Sequence, residues 1–134
     1  MTTLQDLHRA LSEAESGSRE LDADIELAMD YADAEDTYNE GGGGFTVYGW
    51  NGKPKLRGRA APYTTDLNAI TCLIERVLSG WTYEGGKMAS GLCWSRVWRP
   101  DRQIGLGIYG EAPTEALARA IALVSALISQ EGEK

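Results

Sequence analysis

The feature that most constrains this fold is one apolar stripe near the middle of the chain. Leu67, Ile70, Leu73, Ile74, Val77 and Leu78 recur at the three- and four-residue spacing of a single helix face. Thr65 is placed to cap the first free amides, and Asp66 puts a negative charge into the first turn, where the helix dipole favours it. A stripe this continuous must be covered, so the rest of the chain is expected to pack around the 62–78 segment.

Elements suited to that packing lie on both sides. Thr3 can cap a first helix with Leu4, Leu7 and Leu11 inward and Gln5, Asp6, Arg9 and Glu13 outward; Ser16-Gly17-Ser18 interrupts it. A second helix starts near Ser18, with Glu20 and Asp22 in its first turn and Leu21, Ile25, Ala28 and Met29 to bury. The 31–44 segment holds acids, small residues and the run Gly41 to Gly44, and reads as a flexible acidic, glycine-rich loop. A strand pattern, Phe45 to Trp50, follows the glycines where a phosphate-cradling turn would need a helix, which excludes a P-loop or Rossmann turn. Asn51-Gly52 is a turn, and Lys53-Pro54-Lys55-Leu56-Arg57-Gly58-Arg59 reads as a basic loop.

Beyond the central helix, Ser79-Gly80 stops it, Trp81-Thr82-Tyr83 begins a strand and Gly85-Gly86-Lys87 turns. Next comes the clearest strand of the chain, with Leu92, Trp94, Arg96 and Trp98 on one face and Gly91, Cys93, Ser95 and Val97 on the other. The 100–103 turn leads to a last strand with Ile104, Leu106 and Ile108 on one side and Gly105, Gly107 and Tyr109 on the other. A final helix over 113–130 places Pro113 first and Glu115 in its first turn. It carries two stripes, Leu117, Ile121, Val124, Ile128 and Ala116, Ala120, Leu123, Leu127, and so is expected to lie deep against the sheet and to meet another subunit. The reading is one α+β domain over 1–134: a small antiparallel sheet of three to four strands between helical layers, an α-β-α sandwich.

Charge is divided unevenly. The net value is −7, yet residues 1–44 hold twelve acids against two bases, while residues 45–110 hold nine bases against four acids. Such a chain is poorly built to track duplex nucleic acid and well built to hold a small anion locally, although its bases can also pair with the acidic helices or simply face water. No apolar run approaches the roughly 18 residues of a membrane span, and the first residues lack a signal-peptide pattern, so a cytoplasmic protein is expected. Cys72 and Cys93 are isolated within apolar segments and read as reduced core residues; His8 has no Cys or His nearby, which argues against zinc or a histidine triad. Asp22 with Asp24, or Glu20 with Asp24, could hold magnesium or serve as acid and base, but such pairs arise on any solvated helix face. No catalytic residue, metal site or cofactor is expected.

Ligand-binding candidates come from the basic segment and the aromatic strand. Arg57 and Arg59 can make forked hydrogen bonds to phosphate. Trp94, Arg96, Trp98 and Arg99 can stack on a base and neutralise charge, or the two tryptophans can face a helix as core with Arg96 reaching to the edge. Tyr63 and Asp66 can bond a ribose or base edge, with helix capping the ordinary role for Asp66. Arg19, at a helix start, and Arg119, in an apolar helix, each call for a carboxylate, Glu115 being one choice for Arg19.

The combination of Arg19-Glu20-Leu21-Asp22, Tyr63-Thr64-Thr65-Asp66-Leu67-Asn68-Ala69, Trp81 and Ala112-Pro113-Thr114-Glu115-Ala116 resembles the phage ABA-sandwich domain family. The resemblance spans nearly the whole chain outside 30–55. In size and segment order the chain is also similar to phage anti-Thoeris sponges, which bind cyclic ADP-ribose isomers and in some cases cyclic oligonucleotides. What the resemblance implies is a non-enzymatic homo-oligomer, in the host bacterial cytoplasm, that sequesters a cyclic nucleotide or cyclic ADP-ribose type immune signal. The alternative is a phage protein-protein interaction module using the acidic N-terminal helices.

Overall fold

A computed structural model describes residues 3–100 and 107–132. Their elements are α1 (Leu4–Glu13), α2 (Arg19–Asp30), β1 (Asp36–Gly41), β2 (Gly44–Tyr48), β3 (Pro54–Arg59), α3 (Leu67–Val77), β4 (Thr82–Lys87), β5 (Cys93–Trp98), β6 (Ile108–Ala112) and α4 (Glu115–Gly132). The class is α+β. In place of one sheet there are two three-stranded antiparallel sheets, β1-β2-β3 and β4-β5-β6. Among the positions expected in the last turn and strand, 101–106 lie outside the described residues. No described helix is long and apolar enough to cross a membrane.

The helix at the centre is α4, and not α3. Ala116, Leu117, Ala118, Ala120, Ile121, Ala122, Leu123, Val124 and Ala126 are all buried, because α4 packs on β5 and β6 and also against α1 and α3. A helix covered on every side has no polar face, so a search for a one-sided stripe favours α3. Both stripes of α4 are largely covered within the chain, and neither requires another subunit. The approach to β6 is close: a methyl group added at Gly110 would lie 2.5 Å from the carbonyl oxygen of Ala118 and 2.9 Å from the nitrogen of Ala122. The helix starts after Thr114, one residue beyond Pro113, since the Thr114 hydroxyl accepts from the amide of Leu117 at 3.3 Å. In α3 the cap is likewise Asp66 rather than Thr65, its carboxylate accepting from the amides of Asn68 and Ala69.

The 31–44 segment, expected as a flexible loop, contains β1 and the turn that joins it to β2. Gly41, Gly42 and Gly43 take φ values of 83°, 61° and 91°, which glycine adopts without strain. β1 escapes the apolar-alternation pattern because its inward residues are polar. The Asn39 amide donates to the Glu20 carbonyl at 2.7 Å and to the Asp24 carboxylate at 2.9 Å, fastening the strand to α2. The basic segment expected as a loop is also a strand, β3, whose inward Gly58 lies beneath Phe45; a methyl there would stand 2.8 Å from the ring. Ala23, Leu27, Phe45, Val47 and Ala60 form a small core under this sheet, separate from the main core around α4.

A buried polar knot holds the segment before α3. Asp22 is 0% exposed; one carboxylate oxygen accepts from the Thr64 amide (2.8 Å) and hydroxyl (2.6 Å), and the other from Arg19 (2.8 Å). Arg19 also donates to the Ala60 carbonyl at 2.5 Å, so its partner is Asp22 and not Glu115. Glu115 instead pairs with Arg119 at 3.2 Å, and Arg119 further donates to Thr71 at 2.8 Å and Ser95 at 3.3 Å.

Candidate ligand-binding face

β5 decides which side of its sheet is core. Cys93, Ser95 and Val97 are buried toward α4, while Trp94, Arg96 and Trp98 point the other way and stay partly exposed. The reading of these tryptophans as core beneath a helix is therefore not what the structure has. Small residues face the close-packed α4, and large ones face out.

Strand register builds the outer face. Gly86, Trp94 and Glu111 lie across one row, and Glu84, Arg96 and Tyr109 across the next; Trp98 lies opposite Thr82. Arg96 forms an ion pair with Glu84, and its guanidinium carbon sits 5.0 Å from the centre of the Trp98 ring. The Trp94 and Tyr109 rings stack with centroids 6.4 Å apart and planes inclined by 16°. The Tyr109 phenol is held above its ordinary pKa by desolvation first and by Glu111 second. This face offers ring surfaces suited to stacking and a guanidinium held by Glu84 and the Trp98 ring, with Glu111 beside Trp94. Arg99 follows β5, half-buried at its end.

The eight expected site residues do not assemble into one site. Trp94, Arg96 and Trp98 share the face just described. Arg57 and Arg59 stand on the outer face of the other sheet, opposite Thr46 and Gly44, with Arg59 donating to the Gly42 carbonyl at 3.0 Å. Tyr63 is only 6% exposed, and its hydroxyl donates to Glu26 at 2.6 Å. Asp66 caps α3. Tyr109, Glu84 and Glu111 complete the aromatic face and were not singled out by the sequence, where only strand pairing could have placed them beside Trp94 and Arg96.

A second cluster forms around Glu26. Burial first, and then a proton shared with Asp30, push the Glu26 carboxyl up to about 7, against the opposing bond from Tyr63. Asp30 is held below its ordinary range by that bond with Glu26 and by Arg76, which reaches it at 2.6 Å. The Tyr63 phenol is raised by burial and by Glu26. A cleft of about 590 Å3 lies where α1, α2 and the end of α4 meet, lined by Leu4, Asp24, Leu27, Met29 and Leu127 among others, and none of the expected site residues lines it. Comparison with protein-family models, with curated proteins and with solved structures finds no match.

Proposed function

We propose that this protein is a non-enzymatic binding protein that sequesters a nucleotide-type ligand, of the cyclic nucleotide or cyclic ADP-ribose kind, on the outer face of β4-β5-β6. The observation that carries the reading is the outward placement of Trp94, Arg96 and Trp98 with Tyr109 stacked beside them. Trp94 and Trp98 are four residues apart on one strand, roughly 13–14 Å, with Arg96 midway between them. That spacing suits two planar groups flanking a phosphate that takes Arg96 from Glu84. Arg57 and Arg59, on the other sheet, are not part of this face.

The sponge role, its phage setting, a homo-oligomeric state and the α-β-α sandwich arrangement come from the resemblance and belong to the same proposal. The alternative, docking through acidic N-terminal helices, draws less support. Asp22, Asp24, Glu26 and Asp30 each bond within the chain, which leaves fewer acids on α2 for a partner.

The test is a binding screen against cyclic ADP-ribose isomers and cyclic di- and trinucleotides, with heat release and chromatography of what was bound. Retention and release of an unchanged compound is the expected result. Trp98→Ala should then weaken binding by roughly 5- to 150-fold, the worth of one stacked base. Release of an altered compound would make the protein an enzyme, and failure to retain any of the panel would refute the reading.

A further inference from the structure

Among the described residues no further strand pairs with β1 or β3, the outer strands of their sheet, and these two edges carry opposite charge. On the outer face β1 presents Asp36, Tyr38 and Glu40 and β3 presents Arg57 and Arg59, with Lys55 next to them at a break in the β2-β3 register; all six are exposed. Tyr38 is 59% exposed. These groups have few partners within the chain: Asp36 accepts from the amide of Thr37 and Glu40 from the Thr46 hydroxyl, while Lys55 and Arg57 have no ion pair among the described residues.

From this juxtaposition we infer that β3 of one copy pairs edge to edge with β1 of a second copy, continuing the sheet from molecule to molecule. β1 and β3 both run antiparallel to β2, so they run parallel to each other. A second copy that keeps the same face outward brings its β1 alongside β3 in the parallel sense. Tyr38 then meets Arg57 and Glu40 meets Arg59, while Lys55, at the register break of β3, comes near Asp36. That gives two opposite-charge pairs and one arginine beside a ring.

Charges on an edge strand ordinarily keep identical edges apart. Here the same charges discriminate: β3 against β3 opposes bases, β1 against β1 opposes acids, and only β3 against β1 is complementary. The contact is therefore head-to-tail, and closes into a ring or runs on as a chain according to the rotation per copy. It is independent of the ligand face, which lies on the other sheet.

The experiment measures the mass of the full chain in solution by light scattering over a concentration series, at low and high salt. Wild type is expected to exceed the mass of one chain, with assembly weakened by salt. Arg57→Glu with Arg59→Glu should be monomeric, and so should Asp36→Lys with Glu40→Lys. An equal mixture of the two variants should assemble again, since each supplies the edge that the other lacks. Lys55→Glu with Arg57→Glu replaces the first pair if circular dichroism shows that it does not fold. A wild type that stays monomeric at millimolar concentration overturns the inference and leaves the β3 edge to an extended acidic segment of another protein. Variants that assemble like wild type, or a mixture that stays monomeric, overturn it equally.

Discussion

Replacing Glu26 by Gln should remove a defined part of the pH dependence of folding. Glu26 is half-buried on α2, its carboxyl bonded by Tyr63 and sharing a proton with Asp30, which Arg76 also holds. Its pKa rises from 4.5 to about 7, so the folded state favours the protonated carboxyl. The sign follows: the stability due to this group is fully present below 4.5 and is lost as pH rises through about 7. Without screening, the shift corresponds to about 3 kcal/mol; partial exposure reduces the expected loss to about 1 kcal/mol. Asp30, whose pKa is depressed, acts in a different window, stabilising above its ordinary 3.8 and losing that effect only in stronger acid. Between pH 5 and 8, urea denaturation of wild type should therefore lose about 1 kcal/mol, or about 4 °C in Tm. Gln keeps an oxygen for the Tyr63 hydroxyl and a donor for Asp30, and cannot ionise. Its curve should be flatter by that amount, and at pH 8 it should equal or exceed wild type. Parallel pH curves for the two proteins would refute the reasoning.

Four further substitutions probe the frame. Asp22→Ala strands the Thr64 amide and hydroxyl and Arg19 together, and should lower unfolding free energy by about 3–5 kcal/mol in urea titrations. Gly110→Ala forces a methyl into the backbone of α4 and should cost about 1–3 kcal/mol, read in the same titration. Asp66→Ala should cost about 1 kcal/mol by thermal melting while Thr65→Ala, on an exposed side chain, changes little; the reverse order would return the cap to Thr65.

The helices were legible in the sequence and half of the sheet structure was not. α1, α2 and α3 follow from apolar spacing and capping side chains, because one face of each is buried and the other wet. β5 follows from strict alternation. β1 and β3 have the sequence pattern of loops since their inward positions include Asn39 and Gly58: one strand is fastened by amide hydrogen bonds and the other by room made for a phenylalanine ring. Local hydrophobicity carries neither signal. The bonds of Arg19 and Glu26 were hidden for a related reason, as each joins α2 to the segment about forty residues later that precedes α3. Charged residues on α2 looked like a solvated face until that segment was laid against them.

The sidedness of β5 had a signal that alternation alone does not contain. Alternation separates Trp94, Arg96 and Trp98 from Cys93, Ser95 and Val97 without saying which set is inside. α4 answers it. An alanine-rich helix approaches a sheet closely only where the sheet presents little side-chain bulk, and here that surface is Gly85, Ser95 and Gly110. A tryptophan at position 95 would have to displace the Arg119 side chain that donates to Ser95. Close packing thus forces the large side chains of β5 to the opposite face. It does not force them to be tryptophans, because a solvated sheet face is satisfied by threonine or lysine at no cost to the core. Two tryptophans and a tyrosine on that face, ordered by a stacked pair and an arginine, go beyond what packing requires, and for that reason they are the residues to test for a ligand.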